Sequence, residues 1–156
     1  MNRVTTILTG AALAALVIAS PLAQTRNPEE AAVRKAIEDH YFKAQSTGDG
    51  SHLKGTFIDE GRMMWVVDGK LQTRTSAEYI GGFRGQPPAD EAKRTRRVVM
   101  VDVAGDAATA KVELDYPDAK LTDYFAMLKL GGEWKIVNKI FHAEPKSKPT
   151  TNKAAQ

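Results

Sequence analysis

Apolar side chains between Val33 and Ala44 recur at the spacing of an α-helix, and they predict one long amphipathic helix. Its apolar face is predicted to comprise Val33, Ala36, Ile37, His40, Tyr41 and Ala44. Asn27, followed by Pro28 and two glutamates, is typical of a helix start, because Asn caps free amides and acids favour the positive end of the helix dipole. Gly48 is placed to end the helix.

The segment after Gly48 predicts a second, shorter helix and then the first strand. Asp49 can cap this helix, which would carry Leu53 and Phe57. We expect the strand to begin near Arg62, where the sequence changes to consecutive apolar residues with strand propensity.

A hairpin and a third short helix are predicted next. Residues 63–67 and 70–73 would pair across a tight turn at Asp68 and Gly69. Residues 76–83 fit a short helix, and a loop that contains proline follows at residues 86–92.

Four longer strands are predicted in the second half of the chain, at residues 95–103, 107–116, 121–130 and 133–142. Helices that precede a run of strands predict an α+β fold rather than an alternating α/β fold. A curved, mainly antiparallel sheet with helices over one face leaves a space between the two layers. That space is the natural place for a ligand.

Residues 1–23 differ in composition from the rest of the chain. Arg3 is their only charged residue, and an apolar run extends from Ile7 to Ile18. Small residues follow, so the pattern is that of a secretory signal peptide cleaved near Ala19 or Ala23. The run is shorter than the ~20 apolar residues that span a bilayer, and an uncleaved N-terminal anchor is the alternative. We expect a periplasmic or secreted bacterial protein.

The amino-acid composition excludes several classes of protein. The chain has 156 residues and no cysteine, which excludes a disulfide scaffold and a cysteine-anchored lipoprotein. Without Arg3, 21 basic residues stand against 19 acidic ones, a net charge of +2. This excess is too small to predict binding to nucleic acid or, after signal cleavage, to a membrane. We expect one domain at residues 24–143 and a disordered tail at residues 144–156.

Several short segments occur in an order that carries a family resemblance. They are Tyr41 ahead of Gly48-Asp49, then Phe57-Ile58-Asp59, Met63-Met64-Trp65, Asp68-Gly69-Lys70-Leu71, Asp123-Tyr124-Phe125 and Glu133-Trp134-Lys135-Ile136-Val137. Over roughly residues 29–142 the chain resembles the NTF2-like (SnoaL-like) superfamily of cone-shaped α+β domains, and in particular its exported putative lumazine-binding branch. The superfamily hosts isomerases, dehydratases, transport adaptors and binding domains, so the resemblance implies a fold more than a function.

The resemblance also allows a comparison with ketosteroid isomerases of the same superfamily. Their chemistry needs a carboxylate base, and a Tyr and a neutral Asp that hydrogen-bond the developing oxyanion. The resemblance places the oxyanion Tyr at Tyr41, the oxyanion Asp at Asp123 and the general base at Trp65. An indole cannot accept a proton at neutral pH, so the base of that reaction is missing.

Aromatic residues are the main candidates for ligand binding. We expect Tyr41 and Trp65 to face each other across the cavity, with Trp65 as a wall on which a flat ring can stack. Tyr79 and Phe83 on the third helix are predicted to form a lid. In the alternative interpretation Tyr41 is a core aromatic and Trp65 fills the cavity.

Two further residues are candidates for catalysis as well as binding. His142 has the strand parity of Trp134 and Ile136, which predicts that it faces the cavity, where it could act as an acid or base. Exposure at the strand end is the alternative for His142, and a turn cap or surface position is the alternative for Asp123. The three histidines lack zinc-ligand spacing, and we expect no metal and no cofactor.

Three functional hypotheses follow. The first is a non-catalytic domain that binds a small flat apolar or heteroaromatic ligand, and the missing base favours it. The second is an isomerase or dehydratase in which His142, Asp123 and Tyr41 form a rearranged acid/base set. The third is a protein-interaction module whose cavity is filled by Trp65, Met64 and Phe125. The resemblance further implies a homodimer through the outer face of the sheet, where parity places Val137 and Phe141 among lysines.

Overall fold

Residues 27–147 are described by a computed structural model, in which helices cover one face of a six-stranded sheet. The elements are α1 (residues 28–47), β1 (Phe57–Val67), β2 (Lys70–Thr75), α2 (Ser76–Gly81), β3 (Thr95–Ala104), β4 (Ala107–Asp115), β5 (Ala119–Leu130) and β6 (Glu133–Pro145). None of the helices between residues 27 and 147 has an apolar stretch long enough to cross a bilayer. The predicted signal peptide lies outside the described residues. The predicted start of the tail at residue 144 is wrong, because β6 pairs with β5 through Glu144 and Pro145, and residues from 148 onward lie outside the described part.

The long N-terminal helix changes its winding in the middle. Its α-helical parts, Pro28–Ala36 and Lys43–Thr47, flank a π-helical segment at Ile37–Phe42. Such segments are rare and occur often at functional sites, because the wider turn redirects the side chains it carries. Here the π-helical segment carries Tyr41, which is fully buried.

The predicted helix caps are present. The side chain of Asn27 accepts a hydrogen bond of 3.0 Å from the amide of Glu29. Gly48 ends α1 in the left-handed conformation, with φ of 69°. Asp49 then caps a single 3₁₀ turn by accepting a 2.8 Å hydrogen bond from the amide of Ser51. These local signals are confirmed.

The first strand begins earlier than predicted. The second helix is only a 3₁₀ turn at Gly50–Leu53, and β1 starts at Phe57 instead of near Arg62. Phe57 pairs with Ile136, whose amide donates a 2.7 Å hydrogen bond to the carbonyl of Thr56. Pairing with a strand from the far end of the chain therefore overrides the local helical preference.

The strand order is β2-β1-β6-β5-β4-β3, antiparallel throughout except for the parallel pair β1 and β6. The predicted hairpin at Asp68 and Gly69 and the four later strands are confirmed, with ends that differ by a few residues. The sheet is curved and unclosed, and α1 packs on one face. The predicted α+β class is confirmed.

A β-bulge at Val137 interrupts the alternation of side chains along β6. Met127 on β5 pairs with Ile136, whereas its neighbour Ala126 pairs with Asn138. Val137 is therefore an extra residue without a partner of its own in this ladder. One extra residue reverses which side chains of the strand face the core.

The bulge overturns the predicted orientation of the end of β6. Lys139 and Phe141 face the helix-covered side, where Phe141 pairs with the buried Asp123. Ile140 and His142 face the opposite side. The prediction that His142 faces the cavity is wrong, and so is the prediction that Phe141 lies on the outer face.

Candidate functional site

Aromatic rings form much of the wall of a cavity of about 330 Å³ between α1, α2 and the helix-covered face of the sheet. These rings belong to Tyr41, Trp65, Tyr79, Tyr116 and Phe141. Trp65 stacks on Phe141, with ring centroids 5.2 Å apart and planes inclined by 27°. Trp65 and Phe141 both remain half-buried. The arrangement provides flat apolar surfaces for a ligand.

Three polar side chains form a hydrogen-bonded cluster at the inner end of the cavity. Tyr41 donates a 2.6 Å hydrogen bond from its hydroxyl to Asp123 Oδ2. Lys139 Nζ donates to the same oxygen at 3.2 Å and to the Tyr41 hydroxyl at 3.0 Å. Tyr41 and Lys139 line the cavity, whereas Asp123 lies behind them and is fully buried. Asp123 Oδ1 has no hydrogen-bond partner among residues 27–147.

Burial shifts the pKa values of this cluster in opposite directions. It lowers the pKa of Lys139, because the ammonium loses its hydration, although the Asp123 carboxylate acts against this shift. It raises the pKa of Tyr41, and the negative charge of Asp123 raises it further. The cluster therefore combines a tyrosine that keeps its proton with a lysine that releases its proton more readily than usual.

Polar groups also surround the outer part of the cavity. Gln45 donates a hydrogen bond from its amide nitrogen to the Tyr79 hydroxyl, and its amide oxygen accepts one of 3.4 Å from the Tyr116 hydroxyl. The guanidinium of Arg74 lies 5.8 Å from the ring centroid of Trp65. These groups can bind the polar edge of a ligand whose rings contact the walls.

The polar groups that line the cavity are suited to binding an organic molecule rather than a metal ion. Its charged lining residues, Arg74 and Lys139, are both cationic, and cations do not ligate metals while they hold their protons. Within residues 27–147, no three His, Cys, Asp or Glu side chains are grouped so that they could hold a metal ion.

Most of the aromatic residues predicted from the sequence lie at this cavity. Tyr41, Trp65 and Tyr79 line it. Phe83 does not line it but packs edge-to-face on Tyr79, with ring centroids 5.4 Å apart. Phe83 therefore contacts Tyr79, which lines the cavity, and is not itself part of the cavity wall.

The acid/base set predicted for an isomerase or dehydratase is not assembled. His142 lines a groove on the opposite face of the sheet, with Tyr124 and Ile140. It thus lies across the sheet from Asp123 and Tyr41. A mechanism that uses these three side chains together does not fit the structure.

The alternative in which side chains fill the cavity is also wrong. Met64 lies on the outer face, where it lines the same groove as Ile140. Phe125 is buried in the core, edge-to-face against Tyr41. Trp65 forms one wall and leaves the cavity open.

Sequence reasoning missed several residues that line the cavity, namely Gln45, Arg74, Phe141 and above all Lys139. Lysine on a strand is normally exposed, and strand parity placed Lys139 on the outer face. A weak signal was present in Gly61, since glycine within a strand often marks a bulge or a close approach of backbones. A Cβ at Gly61 would lie 2.9 Å from the carbonyl oxygen of Ile58 and 3.3 Å from that of Val137, the bulged residue.

The fold and cavity define an NTF2-like α+β domain, and solved structures have the same architecture. An NTF2-like protein of unknown function from Shewanella baltica OS155 has a TM-score of 0.68 and 24% identity, over 76% of this chain and 96% of that one. One from Silicibacter pomeroyi DSS-3 has a TM-score of 0.66 and 24% identity, over 75% of this chain and 97% of that one.

The model of the family described as putative lumazine-binding matches residues 28–142, and the chain belongs to this family. The family predicted from the sequence is thereby confirmed. One relative, named aldolase FrzH, from Cladobotryum sp, is 26% identical over 106 residues, which are 68% of this chain and 85% of the relative.

Proposed function

We propose that this protein binds a small, flat heteroaromatic or apolar molecule in its aromatic-walled cavity without transforming it. The observation that carries this proposal is the position of Trp65, Phe141, Tyr79 and Tyr116 around an open space whose inner end is polar. Stacking and edge-to-face contacts with aromatic rings contribute about 0.5–1.5 kcal/mol each beyond burial.

The size and polarity of the cavity narrow the ligand class. Its 330 Å³ is near the lower end of the ~300–1,000 Å³ range of small-molecule pockets, which favours a ligand of one to three rings. The ammonium of Lys139 and the amide of Gln45 can bind carbonyl oxygens or ring nitrogens. A pteridine has such polar edges, and the family description, which names lumazine, supports this class.

Calorimetry with a panel of pteridines, purines and flavins tests the proposal. We expect saturable binding to the wild type and at least a tenfold loss in Trp65→Ala. Val66→Ala is the matched control, because the next residue on β1 is 65% exposed and does not line the cavity. No binding of any panel member to the wild type, or equal losses in both variants, would contradict the proposal. Mass spectrometry of co-purified ligands can identify the natural molecule.

A second candidate is catalysis on a carbonyl compound. It is favoured by the cluster of Lys139, Asp123 and Tyr41 and by the relative that is named an aldolase. Trp65 supplies no base, so a proton would have to reach the Asp123 carboxylate through Lys139 or Tyr41, which line the cavity in front of it. Deuterium uptake next to the carbonyl of a bound ligand in D₂O, lost in Asp123→Asn, would favour catalysis over binding alone.

We propose that the protein acts in the periplasm or outside the cell, after signal-peptide cleavage near Ala19 or Ala23. The apolar run from Ile7 to Ile18 and the absence of cysteine support this location. Cell fractionation in a Gram-negative host, with the mass of the exported chain, tests it. Full-length protein in the cytoplasm would contradict it.

We also propose a homodimer through the outer face of the sheet. Val66, Leu71, Tyr124 and Ile140 are 65%, 68%, 44% and 51% exposed, and such apolar surfaces favour association. Sedimentation equilibrium is expected to give the mass of two chains for the wild type and of one chain for Ile140→Glu. Ala32→Glu, on the exposed side of α1, is the control and should remain dimeric. A monomeric wild type would contradict the proposal.

A further inference from the structure

We propose that Lys139 is a nucleophilic amine that captures the carbonyl group of a small aldehyde or ketone as an imine. The inference rests on the proposed function, because the carbonyl compound must enter the same cavity. It goes beyond binding without transformation, because a ligand that carries a carbonyl group would be captured covalently and reversibly by a nucleophile.

The amine of Lys139 lies inside the cavity rather than at the surface. Lys139 is 4% exposed and lines the cavity, although lysine is seldom buried. Its Nζ lies 4.7 Å from the ring centroid of Phe141, 5.2 Å from that of Tyr79 and 5.3 Å from that of Tyr41. Aromatic surfaces therefore surround the amine, so a flat carbonyl compound held by these walls would have its reactive carbon near Nζ.

The groups around the Lys139 amine favour its neutral form overall. Asp123 on β5 favours the protonated form, whereas Arg74 on β2 and burial favour the neutral form. Tyr41 on α1 and Tyr79 on α2 keep their protons, because burial raises the pKa of both hydroxyls. Burial outweighs Asp123, and the pKa of Lys139 is lowered. More of the nucleophilic neutral amine is therefore present at neutral pH than for an exposed lysine.

Groups able to accept and donate protons contact the Lys139 amine. As the Nζ lone pair forms a bond to the carbonyl carbon, the π electrons of the C=O bond move to oxygen. A proton must then pass from nitrogen to that oxygen. Asp123 Oδ2 at 3.2 Å and the Tyr41 hydroxyl at 3.0 Å from Nζ are placed to carry it.

The same groups complete the reaction. Protonation of the carbinolamine oxygen allows it to leave as water while the nitrogen lone pair forms the C=N bond. Overall, a protonated lysine and a carbonyl compound give a protonated imine and one water molecule, and nothing is oxidised or reduced. The volume and the aromatic walls favour an aldehyde or ketone with one flat substituent.

Trapping with benzaldehyde and cyanoborohydride tests the inference on the full chain. The hydride reduces the imine carbon and leaves a benzyl group, which intact mass and peptide mapping locate. We expect one benzyl group per chain at Lys139, added at least tenfold faster than at any other lysine. Lys139→Arg should lose the fast reaction, and Lys111→Arg, a half-buried lysine on β4 beside Tyr124, should retain it.

Peptide mapping of the wild type shows whether Lys139 is labelled in preference to other lysines, even where Lys139→Arg does not fold. Label spread over surface lysines without preference for Lys139 would overturn the inference. Calorimetry of the heteroaromatic panel on the same preparation separates the two proposals. Panel binding without preferential labelling overturns this inference and leaves the proposed function intact. Preferential labelling supports this inference, and where the panel does not bind, that result contradicts the proposed heteroaromatic ligand while this inference stands.

Discussion

Asp123 and Lys139 form an ion pair at the inner end of the cavity, with 3.2 Å between Oδ2 and Nζ and side chains only 0% and 5% exposed. The pair is diagonal across two neighbouring strands, because Asp123 pairs in register with Phe141 and Lys139 with Phe125. Each buried charge needs the other, because a charge left alone would still have lost its hydration and would no longer have a partner to compensate for that loss.

Removal of one partner should destabilise the fold strongly. We expect Asp123→Asn or Lys139→Met to lower the free energy of unfolding by about 3 kcal/mol. The double variant should lose clearly less free energy of unfolding than the two single variants added together, because neither charge is left unpaired. Urea unfolding of all four proteins measures the coupling. Lys35→Met, which breaks an exposed pair with Asp39, is the control, and additive losses at the buried pair would contradict the prediction.

The hydroxyl of Tyr41 should contribute to stability through Asp123. Tyr41→Phe removes a 2.6 Å donor from a buried carboxylate, and we expect a loss of about 1–3 kcal/mol in the free energy of unfolding. Tyr124→Phe removes a hydroxyl from a residue on the outer face that is 44% exposed and should change little. Similar losses in both variants, measured by urea unfolding, would show that the buried hydrogen bond is not important.

Gly48 should tolerate no side chain, because two constraints meet there. Its φ is 69°, and an added Cβ would lie 1.8 Å from the carbonyl oxygen of Gln86. Gly69 has a similar φ of 73° but no atom within 4 Å of an added Cβ. We expect Gly69→Ala to cost about 1 kcal/mol and Gly48→Ala at least about twice that, by thermal or urea unfolding. Equal costs would mean that the loop containing Gln86 moves away freely.

Alkaline pH should destabilise the protein through its buried tyrosines. Burial raises the pKa of Tyr41, Tyr79 and Tyr116, whereas tyrosines of the unfolded chain ionise near pH ~10. The folded state then holds more protons, so the free energy of unfolding falls as pH rises above about 10. The lowered pKa of Lys139 has the opposite effect and makes the free energy of unfolding rise with pH. It does so only below about pH 10.5, where this lysine still holds its proton in the unfolded chain.

Absorbance of tyrosinate, combined with urea unfolding between about pH 10.5 and 11.5, measures this effect. Tyr79→Phe should give a shallower decline in stability than the wild type, because one buried hydroxyl is gone. If all four tyrosines of the native protein ionised together near pH ~10, the prediction would be wrong.

Local sequence was enough to predict most of the elements. The cap at Asn27, the helix end at Gly48 and the tight turn at Asp68 and Gly69 depend on residues only a few positions apart. Tyr41 lies on the apolar face of one helix, and its burial follows from helical periodicity. These features were therefore determined by the sequence itself.

Only the tertiary structure decided which residues of β6 reach the cavity. Alternation along a single strand places His142 on the same side as Ile136, but the extra residue at Val137 reverses the later side chains. The bulge is defined by the register of β6 on β5 and lies against Gly61 on β1, and both neighbours are distant in sequence. Periodicity within one strand cannot contain that information. For this reason Lys139 lies in the cavity and His142 does not.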